Sequence, residues 1–356
     1  MRKITYDWID IELTRRCNIA CEHCMRGDAQ NIDIEESTID SFLDQTQIIG
    51  KLLFGGGEPT LCLDKMKYIL DGMKKRGVLL FGLEITTNGY MKSKEFIQII
   101  RDYGEYIKYC WMNKKLKLPY YVKIQVSVDK YHAKAGNYDP EDSYWWYKVN
   151  LYNYAQVDRL QSGNYPKKKG RAKNLPEAYS IDYSYMRNDK RVEILSKDIK
   201  PCCPNYKNYK LIYEDQIYVV CDLCISVKGN MAFLDFTDNI WDVEDNNIIC
   251  NVNGDIYEQI IEFNKGKLTC VEYMKREKAN IQTMERKFLE DNLEAIISGD
   301  IDINNISDFY SNIYINKNEF DPNLHHYSKQ EKKSYSDYGN LEETETQYQN
   351  YNYNIE

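Results

Sequence analysis

Residues 4–24 read Ile-Thr-Tyr-Asp-Trp-Ile-Asp-Ile-Glu-Leu-Thr-Arg-Arg-Cys-Asn-Ile-Ala-Cys-Glu-His-Cys. The first ten alternate and carry Ile4, Trp8, Ile9, Ile11 and Leu13, the pattern of a strand. That strand runs into Cys17, Cys21 and Cys24, three thiols within eight residues. A loop of that size can wrap one compact inorganic cluster. Cubane clusters usually take four cysteines, so three leave one iron open to a cofactor or substrate. Arg15 and Arg16 adjoin the first cysteine, where their charge would favour thiolate over thiol. The same residues also suit a structural zinc ion, with His23 or Cys62 completing four ligands, or buried thiols with no ligand at all.

Working outward, residues 35–49 fit a helix, with Ile39, Phe42, Leu43 and Thr46 at helical spacing. Lys51–Phe54 reads as a short buried strand entering Gly55-Gly56-Gly57. Residues 63–76 read as helix, Leu79–Thr87 as strand with Asn88-Gly89 at its exit, and 92–102 as helix. Tyr106–Met112 and Tyr121–Val128 are strand candidates, and residues 140–158 read as helix. Strands alternating with helices imply a parallel sheet with right-handed crossovers. The glycines and polar residues fall at strand ends, the face on which parallel barrels build their sites.

The chain has 356 residues, enough for one large domain or two smaller ones, and 43% of them are hydrophobic, which supplies a core. A formal charge of −8 weighs against a protein that grips phosphate backbones over a broad face. No apolar core or cleavage site follows the opening MRKITYDWIDIEL, and runs such as Val78–Phe81 are too short to cross a bilayer. The expectation is a soluble cytoplasmic protein with no membrane association. In that reducing compartment, clustered cysteines among a total of eleven hold metal or do chemistry rather than pair as disulfides.

The character changes near residue 196. Cys202, Cys203, Cys221, Cys224, Cys250 and Cys270 follow, with short strands expected between 210 and 236. Residues 272–299 suit a charged helix, and the chain ends ETETQYQNYNYNIE, a composition that favours disorder. The expected division is a core over 1–195, a cysteine-containing extension over 196–275, and a charged helix with a polar tail over 276–356.

Four later motifs join the cysteine loop in order along the chain: Gly55-Gly56-Gly57-Glu58-Pro59, Thr86-Thr87-Asn88-Gly89, Ser127-Val128-Asp129 with His132 behind it, and Gly170-Arg171-Ala172. With Cys-x3-Cys-x2-Cys after a first strand, this set resembles the radical S-adenosylmethionine (SAM) superfamily over about residues 4–175. The resemblance implies an α/β fold, a partial (β/α)6 TIM-like barrel of about six parallel strands, with a smaller C-terminal mixed α/β extension and a polar tail. It implies a 4Fe-4S cluster on Cys17, Cys21 and Cys24, with S-adenosyl-L-methionine chelating the open iron and cleaved reductively to a 5′-deoxyadenosyl radical. It places Gly56 and Gly57 where backbone approaches the cofactor, Glu58 at the cofactor's ammonium and His23 near its adenine. Asn88, Ser127 and Asp129 would offer it polar groups, unless they cap helices or set turns. Arg171 would meet its carboxylate, unless with Lys167, Lys168, Lys169 and Lys173 it forms a solvated basic loop.

An electron donor such as flavodoxin or ferredoxin is implied as a partner. The favoured substrate is a peptide or protein, because the later cysteines resemble the auxiliary-cluster extensions of peptide-modifying relatives. A small metabolite, or a non-catalytic iron–sulfur or zinc protein, is the alternative, and nucleic acid is disfavoured. The extension departs from its pattern, since Leu234 stands five residues after Gly229 where a cysteine is expected, so no second four-iron cluster is predicted there.

Overall fold

The computed structural model describes residues 2–114, 121–160, 170–175, 191–192, 194–195, 217–233 and 248–268. These belong to one of two units of the chain, Met1–Cys202 with Tyr209–Glu277; the other lies outside the described residues. Lys167, Lys168, Lys169, Cys202, Cys203, Leu234, Cys270 and the expected helix and tail also lie outside them.

The first half alternates as expected: β1 (Ile4–Thr14), α1 (Glu36–Asp44), β2 (Thr46–Gly56), α2 (Leu63–Arg76), β3 (Leu79–Leu80), β4 (Gly82–Thr87), α3 (Lys94–Lys114), β5 (Tyr121–Ser127), α4 (Lys130–Gly136), α5 (Pro140–Leu151) and β6 (Gln156–Leu160). After these come β7 (Ile194–Leu195), β8 (Ile217–Ile225), β9 (Asn230–Phe233), β10 (Cys250–Asn251) and α6 (Ile256–Phe263). Six strands run parallel in the order β8-β1-β2-β4-β5-β6, and β9 and β10 extend the β8 edge antiparallel. This is the open, barrel-like parallel sheet of the expected fold class. The strand beside β1 comes from beyond residue 196, so part of the expected extension is built into the same sheet.

Alternation along the strands sorts the side chains into two faces. Ile9, Ile11, Leu52, Phe54, Leu83, Ile85 and Ile124 are buried on one face, and Phe54 meets Tyr103 of α3 edge-on at 5.7 Å. Burying each such side chain stabilises the sheet–helix layer by roughly 1.5–3 kcal/mol.

Four elements differ from the sequence reading; one is Leu79–Thr87, read as a single strand, which breaks at Phe81 into β3 and β4. Tyr106–Met112 continues α3, because Phe96, Ile99, Ile100, Tyr103, Ile107 and Cys110 recur every three or four residues and all are buried. The helix expected over 35–49 stops at Asp44, and β2 begins at Thr46. The helix expected over 140–158 stops at Leu151, and Gln156–Leu160 pairs with β5. No helix among the described residues is long and apolar enough to cross a membrane.

Candidate active site

The cysteine loop leaves the end of β1 and is closed at its base. Arg15 N–H donates to Ile32 O (2.8 Å), Gln30 N–H to Arg15 O (2.9 Å) and Ile34 N–H to Leu13 O (2.9 Å). Arg16 forks onto Asp33 through Nε (2.8 Å) and Nη2 (2.7 Å), and Nη2 also reaches Leu61 O at 2.8 Å. Arg15 donates from Nε to Glu12 at 3.3 Å. The two arginines expected to promote thiolate are therefore engaged with carboxylates. The thiols respond to burial instead: it raises Cys17, and with repulsion from Cys17 and Cys24 it pushes Cys21 up to about 12.

The Gly-Gly-Glu-Pro turn lies directly against the first residues of this loop. Gly57 N–H donates to Thr14 O (2.7 Å) and Glu58 N–H to Arg16 O (2.8 Å). A Cβ on Gly56 would stand 2.3 Å from Thr14 O, and one on Gly57 2.0 Å from Arg16 O, so only glycine fits either place. The close approach shown here is to the loop's own backbone. Glu58 is 1% exposed. Its Oε1 accepts from Thr60 N (3.0 Å), Thr60 Oγ1 (2.6 Å) and Thr87 Oγ1 (2.8 Å), and its Oε2 from Asn88 N (2.7 Å). Burial raises the Glu58 carboxyl, and these donors pull it back.

Asn88 joins that turn to the cysteine loop. Its Nδ2 donates to Asn18 Oδ1 (2.8 Å) and to Cys17 Sγ (3.8 Å), its Oδ1 accepts from Tyr90 N (2.9 Å), and its carbonyl accepts from Tyr138 OH. Ser127 is buried at the end of β5. Asp129 caps α4, accepting at Oδ1 from Tyr131 N (3.0 Å) and His132 N (3.1 Å). Its Oδ2 meets His132 Nδ1 at 2.8 Å and His23 Nε2 at 3.6 Å. Burial alone would raise Asp129, but the hydrogen bond and charge of His132 bring it down to about 2.

His23 stacks on Tyr131 at 4.6 Å and meets His132 edge-on at 4.9 Å. Burial, against the pull of Asp129, lowers its imidazole to about 4. Arg171 N–H donates to Cys24 O at 2.9 Å, so the Gly-Arg-Ala segment touches the cysteine loop.

Gly57, Glu58, Asn88, Asp129 and Arg171 thus touch the cysteine loop, while Ser127 is placed only at the end of β5. Sequence reading gave no role to Thr60, Thr87, Asn18, Tyr131 and Tyr138, which hold them. Cys62 does not join the three cysteines: its Sγ lies 3.7 Å from Leu13 O, and Arg16, Asp33 and Asp64 act on it. Cys221 packs in the main core and Cys224 with Ala232 in a separate small cluster, while Cys250 Sγ lies 3.7 Å from Met231 Sδ.

Residues 11–131 match the family model of the Radical SAM superfamily, the stretch that holds the cysteine loop, Glu58, Asn88 and Asp129. Over that stretch the chain is similar to a radical SAM domain. The chain is 25% identical over 243 residues to molybdenum cofactor biosynthesis protein moc-5 of Caenorhabditis elegans, a match covering 62% of this chain and 34% of that protein. It therefore spans about a third of that relative. Among solved structures it is similar to native anSMEcpe with bound AdoMet and a peptide (14% identity, TM-score 0.42, 74% of this chain and 81% of that one). It is also similar to Streptococcus suis SuiB bound to precursor peptide SuiA (11%, TM-score 0.41, 71% and 64%).

Radical SAM domains use a 4Fe-4S cluster and S-adenosylmethionine. The donor set here fits such a cluster. Cys17 and Cys24 pack against Cys21, Ile19 and Tyr131, and burial opposes ionisation of Cys17 and Cys21. Metal cations supply the positive charge that turns such thiols into thiolates.

Proposed function

We propose that this chain is a radical SAM enzyme whose Cys17, Cys21 and Cys24 hold a 4Fe-4S cluster and whose substrate is a peptide or protein side chain. The observation that carries the reading is the three-cysteine loop, clamped at its base and tied by Asn88 and the Gly-Gly-Glu-Pro turn to neighbouring strand ends. When bound, cluster and cofactor supply a one-electron reductive cleavage that yields methionine and a 5′-deoxyadenosyl radical. The chain's own residues position and shield. Glu58 offers the one buried carboxylate of the Gly-Gly-Glu-Pro turn to the cofactor's ammonium. Asn88 orients Cys17, and Ser127 and Asp129 present polar groups from the end of β5. Arg171 is the cation for the cofactor carboxylate, and His23, held neutral, is a flat face for its adenine. A reduced flavodoxin or ferredoxin is the electron source.

The peptide reading is supported by the sheet, which among the described residues ends at β6 without closing, leaving a side open to an extended chain. The charge of −8 disfavours nucleic acid. The test is anaerobic reconstitution, reduction with dithionite and measurement of 5′-deoxyadenosine, followed by mass spectrometry of short peptides encoded beside the gene. Peptide mass change supports the reading. Release of 5′-deoxyadenosine stimulated only by a metabolite would replace the peptide with a small molecule.

One observation favours a second reading. The ligand atoms of Cys21, His23 and His132 lie within 4.8 Å of one another, a set suited to zinc. Zinc bound in place of iron after anaerobic reconstitution, with no 5′-deoxyadenosine, would establish that reading.

A further inference from the structure

The sheet face opposite Ile9 and Ile11 carries charge. Asp10 and Glu12, two residues apart on β1, are 1% and 0% exposed. Asp10 Oδ1 and Glu12 Oε1 have no hydrogen-bond partner among the described residues. Glu12 is partly compensated: Oε2 accepts from Arg15 Nε (3.3 Å) and Val227 N (2.9 Å), while Oε1 faces Arg26 Nη1 across 3.8 Å, too far for a hydrogen bond. The third acid of this face, Glu84, pairs with Lys51 Nζ at 2.8 Å, and Lys51 sits over the Trp8 ring at 3.5 Å. Asp10 makes no ion pair of this kind among the described residues. Gly55 leaves space for it, because a Cβ there would stand 2.7 and 2.9 Å from the two Asp10 oxygens. The same Gly55 begins the glycine run that ends beside the cysteine loop.

Asp10 is not wholly uncompensated, since the Gly55 N–H and the Arg26 charge both act on it. Neither makes a contact ion pair with it among the described residues, and a buried carboxylate so weakly paired is costly, while exchange for a neutral residue is ordinarily no loss to the fold. Its presence here points to a ligand that brings the charge. A metal ion does not fit: among the described residues, Cys21, His23 and His132 are the group whose ligand atoms converge within 4.8 Å, and these carboxylates form no such group. An organic cation with several N–H donors can span oxygens that do not converge on a point.

We propose that Asp10, assisted by Glu12, binds the ammonium or guanidinium of a cationic substrate group on the inner face of the sheet. This deepens the radical SAM reading and rests on it for placing the substrate there. The probes are N-acetyl-lysine methylamide, N-acetyl-arginine methylamide, n-butylamine and the neutral N-acetyl-norleucine methylamide. Binding is measured calorimetrically to the full chain, reconstituted anaerobically, with S-adenosylmethionine present. A cationic probe should bind at least about tenfold more tightly than the norleucine probe, and Asp10→Asn should abolish that preference. Preference for the amides over n-butylamine assigns the cation to a peptide, and the reverse to a free amine. The Asp10→Asn variant should melt no lower than the parent, which separates lost recognition from lost folding. Equal binding of cationic and neutral probes, or a preference that survives Asp10→Asn, overturns the proposal; the wild-type comparison decides even if the variant does not fold. Release of 5′-deoxyadenosine from the same preparation reports separately on the radical SAM reading, so either can fail alone.

Discussion

At the scale of single residues, Glu58 concentrates the most interactions in the least space. Four donors from Thr60, Thr87 and Asn88 converge on its carboxylate. A glutamine has one acceptor oxygen, and its amide nitrogen would face a donor in place of the other. Glu58→Gln should therefore weaken S-adenosylmethionine binding by about 1.5–3 kcal/mol, the worth of hydrogen bonds to a charged group. Iron content should stay at the parental level. Equilibrium dialysis and iron assay on one sample check both, and unchanged affinity would reduce the Gly-Gly-Glu-Pro segment to a turn. The motif residues were legible because their spacing is local. The contacts that join them were not: Thr87, itself a motif residue, reaches Glu58 from 29 residues away, and Tyr138 reaches Asn88 from 50 away. Nothing within a motif marks such a partner. Arg16, read as a promoter of thiolate, is turned onto Asp33, which the fold rather than adjacency brings to it.

At the scale of elements, alternation and helical spacing located most strands and helices, and failed where aromatic residues suit both. Tyr106, Ile107 and Tyr109 favour strands by type, yet three turns of buried residues before them fix the helix. The end of α1 shows what periodicity cannot reveal. Gln45 is 3% exposed and follows the last turn. Its Nε2 lies 3.0 Å from Val252 O and 2.9 Å from Gly254 O, and its Oε1 accepts from Ile256 N at 2.8 Å, joining α1 to the start of α6. Gln45→Ala would leave the buried Val252 O and Ile256 N–H without this partner. It should lower unfolding free energy by about 2–3 kcal/mol, read as a shift in urea midpoint. An unchanged midpoint would mean that water replaces the amide at no loss.

At the scale of the whole molecule, the six-strand parallel sheet was legible in its class but not in its membership, since β8 comes from a segment whose cysteines read as a separate extension. Cys221 and Cys224 are instead buried in two different packing clusters. Replacing Cys17, Cys21 and Cys24 together by alanine should thus leave less than about one iron per chain; about four remaining irons would reveal a second cluster. The sheet also sets how stability varies with pH. Burial, reinforced by Glu12 and Glu84 and opposed by Arg26 and the Gly55 N–H, raises the Asp10 carboxyl from 3.8 to about 7. Between those values the unfolded chain releases this proton while the folded chain keeps it. The folded state then binds more protons, so this group's contribution to stability falls as pH rises from about 4 and levels off above about 7. The full span is at most about 4 kcal/mol, at 1.36 kcal/mol per unit. Asp10→Asn has no proton to release, so its advantage over the parent should grow across that window and then stay constant. Thermal or urea unfolding of both proteins at pH 5 and pH 8 measures the difference directly. An equal gap at the two values would show that Asp10 is already ionised at pH 5 in the folded chain, with a counter-charge close by.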